Sequence, residues 1–371
     1  MTSTSIVDRA VVGASAPVAP TTAASATVLS AERIHAALER VTHPERINPV
    51  LTSLGILSWV AVAFTGLVPN HADLPLRDGE ILNRTESLWT ALTLGVAALA
   101  ALVWAASALP GRLGAWAHAR TARGSAWLLG AGVWFLFWVL STAKSLLLKP
   151  PYFVAPQEIL GGILDETTLL LESLGNSLLL LGIGFLVGLV TGLLTGVTIG
   201  WYQAANYWVN PILIFIGPVP SLAWVPIVFV LAPTAYSGAV FMIALSVWFP
   251  VSVLTRAGVL SVPKAYFDVA QTAGARAWFL VLRVSLPAAL PSIFTGLFMA
   301  LGASFASLVV AESFGVNSGL GWYLNWKKSW GDFNGLYGGI IVLILVCGVT
   351  LTLLFRVRSW VLRWEKELVR W

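Results

Sequence analysis

The sequence has few charged residues and almost no cysteine, and both shortages limit what the protein can be. Of its 371 residues only 11% are charged, whereas 57% are hydrophobic and the mean hydropathy is +0.83. A soluble domain carries about a quarter charged residues, so this chain cannot cover a soluble surface. The single cysteine, Cys347, lies in an apolar run, which excludes a disulfide framework and a cysteine metal site.

The sequence also lacks the groups that catalysis or ion coupling would need. It contains no GxxxxGK[ST] phosphate loop and no HExxH pattern, and residues 173–255 include no charged side chain. No predicted span has an ionisable residue at its centre, although ion-coupled transporters usually need one. We therefore predict no catalytic residue and no metal site, and we see no basic and aromatic face for nucleic acid.

Long apolar runs predict an all-α polytopic membrane protein, because a crossing helix needs roughly twenty apolar residues. Eight runs fit, at residues 49–67, 88–109, 126–143, 176–200, 210–231, 237–254, 290–311 and 336–354. The fourth run predicts a face for close helix packing at Gly182, Gly184, Gly188, Gly192 and Gly196. The fifth contains Pro218, Pro220 and Pro226, so we expect it to be buried in protein or to line a cavity.

Basic residues orient the predicted spans. Arg112, Arg120 and Arg123 follow the second span without an acidic residue, which places their loop in the cytoplasm. Both termini are then cytoplasmic as well, with residues 1–47 as a disordered or amphipathic segment. Residues 313–335 become an external loop. Lys327 and Lys328 lie in that loop, although the positive-inside rule expects basic residues in the cytoplasmic loops.

Residues 264–287 form a charged interruption that predicts a short cytoplasmic helix. Asp268 would lie near its start, and Gly274 would end it in the left-handed conformation. A second short helix, residues 275–284, would lead to Pro287 and the next span. The first helix could insert into a groove on a partner or lie on the membrane, and both readings stay open on physical grounds. Its apolar side would comprise Tyr266, Phe267, Val269, Ala270 and Ala273.

The same stretch resembles the cytoplasmic "EAA" loop of ABC importer permeases. That loop reads Glu-Ala-Ala, three residues, Gly, nine residues, Ile, one residue, Leu-Pro. Here Asp268-Val269-Ala270, Gly274, Val284 and Leu286-Pro287 occupy these places in register. Residues 217–226 (GPVPSLAWVP), 311–313 (AES) and 317–321 (NSGLG) resemble the nitrate, sulfonate and taurine branch of these permeases. Asp268 and Val269 depart from the Glu and Ala of the pattern.

The resemblance implies a six-helix type I permease core with two additional N-terminal spans, and a transport subunit that is not an enzyme. The domains would be residues 48–123 for the additional spans, 124–365 for the permease domain with its coupling loop at 259–287, and 366–371 for a cytoplasmic tail. A separate ATPase would bind ATP and magnesium, and a solute-binding protein would deliver an oxyanion such as a sulfonate, taurine or nitrate. Two permease copies would form the pathway in a bacterial inner membrane.

The resemblance assigns ATPase coupling to the loop, whereas the translocation pathway has weaker candidates. The coupling residues would be Phe267, Asp268, Val269, Ala270, Ala273, Gly274, Val284, Leu286 and Pro287. Candidates for the pathway are Asn176, Trp224, Pro226, Ser304, Ser307 and Glu312. Packing explains Trp224 and Pro226 equally well, hydroxyls often bond within their own helix, and Glu312 could be an interfacial charge. The alternative function is a secondary transporter or channel for a small organic solute.

Overall fold

The computed structural model describes residues 47–70, 79–217 and 219–364, and only the backbone of residues 79–84. The predicted segment up to residue 46, Pro218 and the predicted tail 366–371 lie outside the described residues. All regular structure within the described ranges is helical. The described residues divide into two compact units, one formed by residues 47–62 with 93–136 and one by residues 63–70 and 79–92 with those described between 137 and 364. The predicted domain boundaries stay a prediction.

The described residues before the second unit's long helices include three helices: α1 (Pro49–Phe64), α2 (Gly79–Ala106) and α3 (Arg112–Val139). A π-helical turn, Leu140–Lys144, extends α3. Within the first unit α1 packs closely on α3, because Trp59 Nε1 donates a hydrogen bond of 3.0 Å to the Leu128 carbonyl. The predicted third span began at residue 126, whereas helix α3 begins 14 residues earlier at Arg112. Hydropathy marks only the apolar part of a helix, and polar residues can continue it beyond the hydrocarbon.

The core of the second unit lies between three long helices. These are α5 (Thr167–Trp201), α8 (Ala235–Leu260) and α10 (Ala277–Phe314). Helix α8 packs along both of the others, and the buried cluster between them includes Leu180, Met242, Ile243 and Leu308.

Glycines let α5 and α8 approach closely. A Cβ on Gly188 would lie 2.5 Å from the Ala244 carbonyl oxygen, and one on Gly192 would lie 2.9 Å from Val251 Cβ. Gly184 and Gly196 are equally confined, so the prediction of a packing face is confirmed for these four glycines. It is wrong for Gly182, whose added Cβ would meet nothing within 4 Å because this residue faces away from α8.

The predicted fifth crossing is a bent pair. Helix α6 (Gln203–Ile216) is followed by a 3₁₀ turn, Ser221–Trp224, and by α7 (Val225–Leu231), with a bend of 89° between the halves. Two cavities lie beside this pair, which agrees with the expectation that it lines a cavity. With this pair counted as one span, the described residues provide up to eight candidate spans, seven of them unbroken helices.

The predicted external loop at residues 313–335 contains a short helix, which the sequence analysis did not predict. Helix α11 (Leu320–Ser329) precedes α12 (Phe333–Val361), which begins where the Asp332 side chain accepts a hydrogen bond from Gly335 N. Helix α11 is too short to cross a membrane, and its low apolar content hid it from a search for spans. On the chain before α5, helix α4 (Pro156–Asp165) contacts α12.

Candidate functional site

Helix α9 (Lys264–Thr272) connects α8 to α10 and is the predicted coupling element. Gly274 has a φ of +82°, which favours glycine, and its position confirms the predicted helix end. Gly274 N donates to the Gln271 carbonyl at 2.8 Å, and Ala275 N donates to the Ala270 carbonyl at 3.0 Å. This pair of bonds is a Schellman motif, which satisfies the last carbonyls of the helix.

The two sides of helix α9 face different surroundings. Phe267 and Ala270 are half-buried, and the Phe267 ring lies 5.7 Å from that of Trp201, edge to face, at the end of α5. Tyr266 and Val269 are 58% and 70% exposed, and Asp268 and Ala273 are exposed as well. The predicted single apolar side is therefore divided: one part anchors the helix to the body, and the other is free to contact a partner.

Two details of the predicted loop are wrong. Asp268 is the fifth residue of α9, which starts at Lys264, so it does not lie in the first turn where the helix dipole would favour its charge. The predicted second helix at residues 275–284 is not separate. An α-helical turn, Ala277–Phe279, and a π-helical turn, Leu280–Ser285, run directly into Leu286–Phe314 and form the start of α10.

The remaining coupling residues lie in this continuous start of α10. Val284, Leu286 and Pro287 are half-buried, and Pro287 occupies the first turn of the α-helical part. The connection from α9 to α10 is therefore one short extended link followed by an unbroken helix.

A cavity of about 400 Å³ lies beside the bend between α6 and α7, and we call it the bent-pair cavity. Its lining includes Ser221, Trp224, Ser246, Trp248, Phe249 and Met299. Trp224 lines it, as the pathway prediction requires, whereas Pro226 is exposed and does not contribute to the lining. The aromatic rings make the wall largely apolar, and none of the described residues that line this cavity is charged.

Ser307 connects to the bent-pair cavity through hydrogen bonds, although it is fully buried. Its hydroxyl lies 2.7 Å from Ser221 Oγ and also contacts Ser246 Oγ, and both of these serines line the cavity. Ser304 is also fully buried, but it donates only to the Leu301 carbonyl of its own helix. Asn176 is half-buried on α5 and lines none of the cavities described here. The structure therefore brings together Trp224 and Ser307, but not the other pathway candidates.

Glu312 lies at the end of α10 and is only 1% exposed, so its carboxylate is buried inside the protein. Its carboxylate accepts hydrogen bonds from Ser177 Oγ and from Gly321 N, each at 2.7 Å. Leu320 N donates to the same serine at 2.7 Å. Glu312 therefore binds the Gly321 amide directly and the Leu320 amide through Ser177, at a helix start whose orphan donors and dipole favour an anion. Sequence reasoning missed Ser177 because it lies 135 residues away.

Lys327, whose predicted external position does not fit the positive-inside rule, belongs to a cluster of ion pairs at α11. Its side chain is 6% exposed and pairs with Glu166 and with Asp332, the latter at 2.8 Å. The Tyr323 hydroxyl donates to Glu166 at 2.7 Å, and the Trp326 ring lies 4.7 Å from Lys327 Nζ. Burial opposes the ammonium form, but the hydrogen bonds and charges of Asp332 and Glu166 outweigh it. The pKa of Lys327 is therefore raised above its usual 10.5.

These features define a polytopic helical membrane protein with an exposed connecting helix and a cavity at a broken span. One part of the chain is similar to known transport proteins. Residues 184–366 match the family described as "Binding-protein-dependent transport system inner membrane component". This match covers just under half of the chain, and the predicted resemblance to ABC importer permeases of the sulfonate, nitrate and taurine type is confirmed. Helices α1 to α4 and the first part of α5 lie before the matched region.

Several relatives carry related names. The chain is 30% identical to the SsuC permease for aliphatic sulfonates of Bacillus subtilis, over 51% of this chain and 66% of that protein. It is 31% identical to the bicarbonate transport permease CmpB of Synechococcus elongatus, over 49% and 64%. It is 29% identical to the taurine transport permease TauC of Escherichia coli, over 50% and 70%. The MetNI methionine ABC transporter shares 17% identity and a TM-score of 0.46, over 53% of this chain and 98% of the solved one.

Proposed function

We propose that this protein is the membrane-spanning permease subunit of an ATP-binding-cassette importer. It forms the translocation pathway for a small solute and couples to a separate ATPase through helix α9. The observation that carries this proposal is the placement of α9. It links α8 and α10, which pack on each other in the core, and it presents Tyr266 and Val269 to solvent.

The connections of α9 give a physical route for coupling. A partner that grips the exposed side would displace a helix whose other side is anchored by Phe267. Because α10 continues without a break from Ala277 to Phe314, the displacement reaches the end that bears Glu312. ATP and magnesium would be bound by the partner, and hydrolysis there would drive the motion. This chain would carry no cofactor and no catalytic group.

The proposed topology places α9 and both termini in the cytoplasm of a bacterial inner membrane. Lys327 lies outside in this topology, against the positive-inside rule. Two carboxylates neutralise its charge, however, so it adds little positive charge to the external side. Lys328 remains as an exposed external charge.

The partners and the solute follow from relatives and are part of the proposal. A second copy of this chain would complete the pathway, and an extracytoplasmic binding protein would deliver the solute. The relatives named for aliphatic sulfonates, bicarbonate and taurine support a small oxyanion such as a sulfonate, taurine or nitrate.

Co-purification with the ATPase tests the coupling surface. Gly274→Trp or deletion of residues 267–273 should abolish the complex, because each destroys the surface that α9 presents. Gly111→Trp is the matched control, since Gly111 also has a positive φ, of 94°, and an equally open surrounding. It should leave the complex intact. A complex that survives both changes in α9 would refute the coupling role.

Solute uptake distinguishes an importer from a secondary transporter or channel. With an ATPase that binds but cannot hydrolyse ATP, uptake should stop. Uptake that continues at the same rate would favour the alternative.

A further inference from the structure

A cavity of about 200 Å³ is lined by residues of helices α10 and α12, and we call it the α10–α12 groove. Its lining consists of four apolar residues, one threonine and one arginine: Phe294, Thr295, Phe298, Leu354, Phe355 and Arg358. All of these except Phe294 and Leu354 are exposed, so the groove is open at the surface of the chain. Phe294 and Leu354 belong to the packed core beneath it.

The length of α12 places this groove at the edge of the hydrocarbon layer. The apolar run at residues 336–354 rises about 28 Å as a helix, which is close to the thickness of the hydrocarbon. Leu354 and Phe355 therefore lie where the hydrocarbon ends. Arg358 follows one turn later, at the depth of the lipid headgroups. This end of α12 is cytoplasmic in the proposed topology.

The groove combines two kinds of surface at that boundary. On the hydrocarbon side, the rings of Phe298 and Phe355 lie 5.6 Å apart and are 46% and 47% exposed. On the headgroup side, the exposed Arg358 supplies a guanidinium, which can donate two parallel hydrogen bonds to a phosphate. An apolar wall that ends at a cation has the polarity of a phospholipid, in which acyl chains end at a phosphate.

The charges of the two helices near the groove are all positive. Residues 333–364 contain Arg356, Arg358 and Arg363 but no acidic residue, and residues 277–311 contain Arg283 but no acidic residue. No carboxylate from these stretches can therefore pair with Arg358. The next acidic residue, Glu365, lies seven positions beyond Arg358. Clusters of basic residues beside a membrane span attract anionic lipids of the cytoplasmic leaflet.

We infer that the α10–α12 groove binds an anionic phospholipid of the cytoplasmic leaflet. The lipid phosphate accepts hydrogen bonds from Arg358, and the first part of an acyl chain packs between Phe298 and Phe355. A zwitterionic lipid binds less well, because these stretches offer no carboxylate to its cationic headgroup. The bound lipid contacts both α10, which begins at the coupling element, and α12. This inference goes beyond the proposed transport function and uses the proposed topology only to name the leaflet.

Native mass spectrometry of the purified full chain in detergent tests the inference, with phosphatidylglycerol and phosphatidylcholine of identical acyl chains as probes. Phosphatidylglycerol should bind saturably, with one lipid for each chain, and about tenfold more tightly than phosphatidylcholine. Arg358→Gln should weaken the binding of phosphatidylglycerol about tenfold. Arg358→Lys should retain part of it, because lysine keeps the charge but not the paired donors.

Arg356→Gln is the matched control for the arginine. Arg356 is exposed on the same helix but does not line the groove. Both glutamine variants remove one positive charge, so the general attraction for anionic lipid falls equally in both. Only Arg358→Gln should lose the tenfold in addition.

Filling the groove tests its apolar part. Thr295→Trp places a large ring in the groove and should weaken the binding of phosphatidylglycerol about tenfold. Thr352→Trp makes the same change at an exposed position of α12 outside the groove, and should bind as the unchanged chain does. Because all four substituted positions are exposed, the variants should fold, and gel filtration checks that they do.

Five results would overturn the inference. Equal binding of the two lipids would remove the role of the headgroup charge, and equal losses in Arg358→Gln and Arg356→Gln would remove the specific contact. Unchanged binding in Thr295→Trp would place the lipid elsewhere. Competition by glycerol phosphate would show a site for a free phosphate, and loss of lipid from dimers of the chain would assign the groove to a second copy. The measurement needs no ATPase, so each of these results leaves the co-purification test of the proposed function standing.

Discussion

The carboxylate of Glu312 holds the start of helix α11 against two of the long helices. It is bonded to Ser177 on α5 and to Gly321 on α11, while its own backbone belongs to α10. Gly319, at a φ of +109°, completes the arrangement, because a Cβ there would lie 2.3 Å from Glu312 Oε1. One side chain therefore connects three helices at a point that any movement of α10 must affect.

Removing this carboxylate should release the start of α11. Glu312→Ala leaves the amide of Gly321 and the hydroxyl of Ser177 buried without their acceptor, at a cost of about 1–3 kcal/mol for each unpaired group. Hydrogen exchange followed by mass spectrometry should show faster exchange at Leu320 and Gly321. Glu172→Ala, at an exposed glutamate of α5, is the control and should leave that exchange unchanged. Equal protection in both variants would contradict the role of Glu312.

The ion pairs of Lys327 should make the stability of the folded protein depend on pH. Its folded pKa is raised, so the stabilisation is complete below about 10.5, the usual lysine value, and is lost as the pH rises through the folded pKa. Thermal unfolding in detergent should therefore show a loss of stability above that pH. Lys327→Arg, which stays charged there, should reduce this loss, whereas Lys328→Arg at the exposed neighbour should not. The same alkaline loss in both variants would assign it to other groups.

At the scale of elements, the packing of α5 on α8 depends on the absence of side chains. The confined glycines of α5 follow one another at four-residue spacing, so they form one face of the helix. A hydrophobic effect between helices is weak inside a membrane, which makes close contact the main source of affinity.

A side chain at this contact should separate the helices. Gly188→Val places new atoms within 2.5 Å of the Ala244 carbonyl oxygen and should destabilise the fold by about 1–3 kcal/mol through overpacking. Gly182→Val makes the same change in the same helix, but into open space, and should be much milder. The fraction of monodisperse protein after heating in detergent measures the difference. Similar losses for the two variants would show that helix propensity, not packing, is responsible.

At the scale of the whole molecule, the proposed topology places the two ends of α10 on opposite sides of the membrane. In a Cys347→Ser background, a cysteine at exposed Ala273 should react with an impermeant thiol reagent only in inside-out vesicles. A cysteine at exposed Ser329 should react only in right-side-out vesicles. Labelling of both positions from one side would require a different number of crossings between them.

Composition and hydropathy alone determined that the chain is a polytopic helical membrane protein, because a chain with 11% charged residues has no soluble alternative. The sequence also predicted where α9 ends, because Gly274 can adopt the left-handed conformation that ends a helix. Sequence reasoning also identified the broken span, since prolines remove backbone donors wherever they occur.

Only the tertiary structure decided which polar residues meet. Glu312 finds Ser177 in a distant part of the chain, Lys327 finds Glu166, and three serines from different segments share hydrogen bonds beside Trp224. Helix α11 was missed for a related reason: its identity as a helix depends on anchors from α5 and α10, not on its own apolar pattern. Such contacts join residues that are far apart in the chain. They depend on how distant segments pack together, and a local sequence pattern does not record this.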